Sequence, residues 1–187
     1  VIVEFTYRVR HKNGEYRWLH TYGSVFDRNE NKQVEHVLNI SADITGMVET
    51  ENKVKEQEHF IEQVADASPT VLYLFDVKKS SIIYINKEIE NVLGYRTEEV
   101  LAMGSEVIPA IFHPEDASHM PERLKDYNND ENPKHLFQFE CRMKNNKGEW
   151  CWFLVREVVF RRNNHGRVTE VLGAALDISR RKEMEEQ

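Results

Sequence analysis

Apolar and polar side chains alternate along Phe5-Thr6-Tyr7-Arg8-Val9-Arg10, a period of two that predicts a strand with one face toward a core. Asn13-Gly14 reads as a two-residue hairpin turn, and the alternation resumes from Tyr16 to Phe26. Asp27 to Lys32 is a polar turn, and Val34 to Ile40 gives a third strand. The pattern predicts an antiparallel meander, marginal by itself because one of its faces needs something to pack on.

The same pattern returns later in the chain. From Phe139, two strands surround Lys147-Gly148, a third follows, and Asp177-Ile178-Ser179 opens a charged helix. Sliding the sequence by 134 residues sets Gly14 on Gly148 and aligns Phe5–Thr45 without a gap, with 14 of 41 positions identical, among them Arg8/Arg142, Glu15/Glu149, Trp18/Trp152 and Asp43/Asp177. A repeat this long is not a solenoid unit; it fits two copies of one domain. Only the second copy carries the segment that precedes the meander, so residues 1–45 read as the C-terminal half of a domain cut within its length.

Between the copies, Gly46 to Ala67 is rich in Glu, Lys and Gln and reads as a helix. Met47, Val54 and Ile61 recur every seven residues, with Thr50, Gln57 and Val64 at the companion positions. Such a seam fits either a solvated helix lying on its own domain or a parallel two-helix connector. Ser68-Pro69 breaks it. Val71 to Val77 and Ser81 to Ile85 form a hairpin of β-branched and aromatic residues. Asn86 is placed to cap a short helix from Lys87 to Leu93, Gly94 to stop it, and Thr97 to Met103 forms a second. Glu106 to Phe112 leads to His113-Pro114-Glu115-Asp116, and Ala117 to Tyr127 is a further helix before a loop over 128–134. The expected divisions are a half-domain over 1–45, a connecting helix over 46–67, a complete domain over 68–179 and the start of an output helix over 180–187.

Composition narrows the function. The 187 residues carry a net charge of −7, which argues against nucleic acid or an anionic membrane as partner. Val71 to Phe75, the longest apolar run, is too short to span a bilayer, and no signal-peptide pattern opens the chain; a cytoplasmic piece is expected. Cys141 and Cys151 fit buried thiols better than a disulfide or metal pair. His59 lacks the sequence context of a phosphoacceptor. The carboxylates of 49–58 and 183–186 are spaced as solvated helix faces, and neither a phosphate-cradling glycine loop nor a His-Glu-x-x-His or Gly-x-Ser-x-Gly motif is present. No enzyme is expected.

Tyr84-Ile85-Asn86, Leu93-Gly94-Tyr95, His113-Pro114-Glu115-Asp116, Lys147-Gly148-Glu149-Trp150 and the closing Asp177-Ile178-Ser179 together resemble a PAS domain over roughly residues 60–180. Residues 4–45 resemble the C-terminal, or PAC, half of another. The resemblance implies an α+β fold: a five-stranded antiparallel sheet of order 2-1-5-4-3 with helices on one face, preceded here by a three-stranded remnant and a connecting helix. It also implies a sensor or dimerisation module of a larger signalling protein, such as a histidine kinase or a cyclic-dinucleotide enzyme, covalently linked to an output domain.

Alternation sorts the faces of that sheet. Phe139, Cys141 and Met143 share a side, as do Phe153 with Val155, and Val171 with Gly173 and Ala175. By similarity to cofactor-binding members these, with Tyr73 and Phe75, point at the helices, so the pocket candidates are Tyr73, Phe75, Cys141, Met143, Phe153, Val155 and Gly173. Gly173 and Ala175 are small enough to leave room for a ligand. The other face carries Trp150, Trp152, Leu154, Leu172 and Leu176, too apolar to stand uncovered; Trp150, Trp152, Leu172 and Leu176 are interface candidates, for the 46–67 helix or another subunit.

No cofactor is expected. The region of the flavin-adduct motif, around 91–99, has no cysteine. His119 stands where haem-binding members place a ligand, but beside Ser118 and Met120 it reads as solvent-facing. His113 fits a local hydrogen bond, not a metal. The pocket composition favours a core filled by its own Phe, Met and Leu side chains, with an unknown small organic ligand as the alternative. Asp177 and Ser179 stand at the exit of the last strand, where either side chain can cap the following helix, and Asp43 and Thr45 repeat them. These four are the expected points of signal coupling. The expected partners are a second copy, through the domain or the connector helix, and the output domain.

Overall fold

The computed structural model describes residues 2–130, 132 and 134–185. The chain divides into two compact units, Val1–Ile61 and Glu62–Gln187.

The first unit is a three-stranded antiparallel sheet, β1 (Ile2–Arg10), β2 (Tyr16–Arg28) and β3 (Val34–Asp43), in the order β1-β2-β3. Helix α1 (Thr45–Asp66) follows, one residue ahead of the 46–67 expected from sequence. Much of the sheet is exposed; Thr21 and Gly23 are buried, and the Thr21 hydroxyl meets Tyr7 Oη at 3.2 Å and Ser41 Oγ at 2.8 Å.

The second unit holds β4 (Val71–Asp76), β5 (Ser81–Ile85), β6 (Phe137–Lys144), β7 (Trp150–Arg162) and β8 (Val168–Asp177), ordered β5-β4-β8-β7-β6 and antiparallel throughout. Counted within this unit, the order is 2-1-5-4-3. Helices α2 (Glu88–Val92), α3 (Thr97–Ala102), α4 (Val107–Ile111), α5 (Pro114–Ala117) and α6 (Met120–Asn129) lie between β5 and β6 in sequence, and α7 (Ser179–Glu185) follows β8. Of the output helix expected over 180–187, Glu186 and Gln187 lie outside the described residues, as do Glu131 and Pro133 of the 128–134 loop and Val1 of the first division.

The internal repeat is carried into the strands residue for residue. At the 134-residue offset β2 maps onto β7 and β3 onto β8 with identical bounds, and the register shift between Val25 and Asp27 recurs between Val159 and Arg161. Both hairpins differ from the two-residue turn read from sequence. The connection spans 11–15 in one and 145–149 in the other, with Gly14 at φ 94° and Gly148 at φ 87°. Asn145 Oδ1 accepts from the amides of Lys147 and Glu149 at 3.0 and 2.9 Å. This side chain holds a longer turn in which glycine takes the left-handed position.

The core lies on the helix-facing side of the second sheet: Val71, Tyr73, Cys141, Met143, Phe153, Val155 and Ala175 from the strands, and Ile89, Leu93, Val100, Val107 and Ile111 from the helical segment. The His-Pro-Glu-Asp turn is tied to β6 by Arg142. Its guanidinium meets Asp116 at 2.9 and 3.1 Å and Glu115 at 2.7 Å, and its amide donates to Asp116 Oδ2 at 2.7 Å. The Arg142 hydrogen bonds hold the Asp116 carboxyl below its ordinary value.

Asn86 is not the cap that the sequence suggested: Lys87 occupies the cap position of α2. The Asn86 side chain turns inward, accepts from the Leu72 amide at 2.9 Å, and donates to the carbonyls of Ala65 and Thr70 at 2.7 and 3.0 Å. It closes the backbone around the Ser68-Pro69 break, and it is buried. Asn86→Ala strands three backbone groups and is expected to cost about 3 kcal/mol in urea unfolding; a loss under about 1 kcal/mol would show that water replaces those bonds.

Candidate functional site

Between the helix-facing side of the sheet and the helices lies a cavity of about 420 Å³. The sequence led to the expectation that side chains fill this space. Four of the seven pocket candidates, Tyr73, Phe75, Met143 and Phe153, line it, together with Ala175. Cys141 and Val155 do not; both are fully buried in the packed core on either side of Phe153. Burial pushes the Cys141 thiol up to about 12, so it is an inert thiol. Gly173 leaves no room for a ligand either. A Cβ there would stand 2.2 Å from Tyr73 Cζ, because the Tyr73 ring occupies that space.

Most of the wall is aliphatic: Ile85, Ile89, Leu93, Val100, Ile108 and Ile111 come from the β5–α4 stretch, Met120 and Leu124 from α6. Its polar end is a buried carboxylate. Glu157 on β7 is 9% exposed, and its two oxygens accept one phenol each, from Tyr73 at 2.5 Å and from Tyr127 of α6. Gly173 makes the first bond possible. Tyr73 pairs with Gly173 across β4 and β8, and Gly173 with Glu157 across β8 and β7, so the ring crosses the bare glycine to reach the carboxylate. Burial, and then the neighbouring Glu157 charge, hold both phenols well above their ordinary value.

Glu157 and Tyr127 were not among the sequence candidates. The signal was present: in the alternation Cys151, Phe153, Val155, Glu157, Val159 the glutamate takes an inward position, and a buried acid needs dedicated partners.

Arg123, one turn before Tyr127 on α6, is the other charged residue of the wall. Its guanidinium lies 3.9 Å from the Phe139 ring centroid, one terminal nitrogen donates to the Asp116 carbonyl at 2.9 Å, and its Nε is buried without a partner. Among the described residues the wall holds neither histidine nor cysteine, and His119 is exposed and outside it. Asp27, Glu35 and His36 converge on the surface of the first unit, all exposed, with His36 Nδ1 already 2.8 Å from Asp27.

The four coupling candidates form two equal joints. The Asp177 carboxylate accepts from the Ser179 amide at 2.8 Å, and the Ser179 hydroxyl accepts from the Trp152 amide at 2.9 Å. In the first unit Asp43 accepts from the Thr45 amide at 3.0 Å, and Thr45 Oγ1 from the Trp18 amide at 2.8 Å. Each helix start is thereby pinned to the middle strand of its meander. Of the interface candidates, Trp150, Leu172 and Leu176 are exposed; Trp152 is half-buried, with Arg142 and Lys182 over its ring at 5.3 and 5.1 Å.

A family model described as PAS fold matches residues 2–41 and 82–175. The chain is 26% identical over 183 residues to the methyl sulfide methyltransferase-associated sensor of Methanosarcina acetivorans, covering 96% of this chain and 18% of that protein. It is 26% identical over 172 residues to the peroxide stress-activated histidine kinase mak1 of Schizosaccharomyces pombe, covering 90% of this chain and 10% of that one. The chain thus spans less than a fifth of either relative. A solved PAS domain from Colwellia psychrerythraea superposes with a TM-score of 0.53 at 20% identity, over 68% of this chain and 98% of its own. Among the described residues no helix is long and apolar enough to cross a membrane.

The raised phenols set an alkaline limit. A group with a raised folded pKa contributes stability that is whole below its unfolded value, here the ordinary 10.0, and that fades as pH climbs toward the folded one. Ultraviolet titration is expected to leave Tyr73 and Tyr127 protonated until the chain unfolds, and Gly173→Ala to release Tyr73. If all seven tyrosines ionise together near pH 10 in a folded chain, the bracket around Glu157 does not form.

Proposed function

This chain belongs to the PAS fold family, and from that premise we propose that it is the sensory module of a larger signalling protein, holding a small organic molecule in the cavity of its second unit. The observation that carries the reading is the cavity itself. At about 420 Å³ it lies in the range of small-molecule sites, with an apolar wall and few polar groups. A ligand acts on such a module only through its different affinity for two states. The route outward is the strand that pairs with Tyr73: β8 runs from Gly173 to Asp177, where the Ser179 joint starts α7. An output domain of the histidine kinase or cyclic-dinucleotide type would take the signal from there, and the first unit repeats the joint at Asp43 and Thr45. The two unpaired thiols support a cytoplasmic setting.

A set of uncharged one- and two-ring aromatic fragments is expected to shift the amide resonances of Val71, Ile85, Met143 and Val171. Leu124→Trp, which fills the cavity from α6, should abolish the shifts in a folded protein. Shifts confined to residues outside the wall, or unchanged in Leu124→Trp, would reject the cavity as the site.

A second reading, association of two copies, is favoured by the exposure of Trp150, Leu172 and Leu176 on the other face of the sheet at 42%, 39% and 41%. Leu172 and Leu176 adjoin Leu74, Leu154 and Val158 on neighbouring strands, giving an apolar stripe able to meet its own twofold mate. Sedimentation should then find a dimer that Leu176→Asp dissociates; a wild-type monomer at 100 μM would remove this reading.

A further inference from the structure

We propose, resting on the cavity reading above, that the molecule held there is a monocarboxylic acid with an apolar aliphatic or aromatic body, its carboxylate taken by Arg123. The two charged residues among those described on the wall are not in equal positions. Glu157 has a phenol on each oxygen. Arg123 has no carboxylate within ion-pair distance among the described residues. The acid next to it, Asp116, lends it only a backbone carbonyl, because the Asp116 carboxylate is bound by Arg142. Its Nε–H is buried and unsatisfied, while the face of the guanidinium rests on Phe139.

A buried donor without an acceptor is costly, and a planar guanidinium is matched best by a carboxylate. An amine in the same cavity would meet the uncompensated Arg123 charge and find both Glu157 oxygens already engaged. A dicarboxylate would have no second cation among the described residues of the wall and would face Glu157. Apart from Ser80 and Ser105, most of the remaining wall, including Ile85, Val100, Ile108, Ile111 and Leu124, fits hydrocarbon. One acidic head and an apolar body satisfy all of these conditions at once.

The test is calorimetry on the 187-residue chain with three probes of one shape: 3-phenylpropanoate, 3-phenylpropan-1-ol and 3-phenylpropylamine. The acid is expected to bind at least about tenfold more tightly than the alcohol, from one charge-assisted hydrogen bond, and the amine most weakly. Arg123→Met should erase the preference and Arg123→Lys retain part of it; if Arg123→Met does not fold, the wild-type order and the lysine variant decide. An alcohol that binds as well as the acid, or a preference that survives Arg123→Met, overturns the assignment and leaves the cavity reading standing. Binding by none of the three overturns both, since the alcohol carries all the apolar body that the cavity requires.

Discussion

The second unit is organised around a place where a side chain is missing. With no Cβ on Gly173, the Tyr73 ring lies across the central strand and delivers its hydroxyl to Glu157 two strands away. A buried carboxylate with no ion-pair partner among the described residues is tolerable only when its oxygens are satisfied, and the second phenol comes from Tyr127 on α6. One glycine, one acid and two tyrosines thereby fix β4, β7, β8 and α6 to one another. Arg162 secures the same end of α6, donating to the carbonyls of Tyr127 and Asp130 at 2.9 and 2.6 Å.

The interior beside this bracket is not closed. The helix is fastened at its C-terminal end by polar bonds of fixed length and by a small apolar cluster of Tyr127 with Val168, Val171 and Phe137. Met120 and Leu124, nearer its start, line the hollow, and Leu124 also packs against the cluster that Tyr127 forms with Val168 and Val171 of β8. The cavity has a mostly hydrocarbon wall, with its two charged groups among the described residues, Arg123 and Glu157, on α6 and β7.

Much of the fold was legible in the sequence, because it is written in periodicity. The strand alternation, the 134-residue repeat and the turn residues marked the strands and separated their two faces; the PAS resemblance supplied the sheet order and the face that turns to the helices, and together they placed Tyr73, Phe75, Met143 and Phe153 on the cavity. Cys141 and Val155 lie on the same face but under full packing, a difference of depth that a period of two does not encode. Gly173 was read as empty space, since the sequence does not reveal that a tyrosine from a strand about a hundred residues earlier lies over it. Asn86 looks like a helix cap for a similar reason: capping is local, whereas its true partners lie earlier in the chain, Ala65 in α1, Thr70 in the connection and Leu72 in β4. Arg123 carries no signal in the sequence, because its lack of a carboxylate partner among the described residues follows from the binding of Asp116 to Arg142 on β6.

The repeat has a consequence for the chain as it is made. β2 and β7 have the same length, the same bulge and many of the same residues, and tandem copies are prone to mispair while folding. If β2 took the place of β7 beside β8, the backbone ladder would be little changed, but position 23, glycine, would stand where Glu157 belongs, and Thr21 where Val155 belongs. Tyr73 and Tyr127 would then be shut inside with no acceptor. The bracket that shapes the cavity thus lets the sheet tell its own strand from an earlier look-alike, a form of proofreading built from one acid and two phenols.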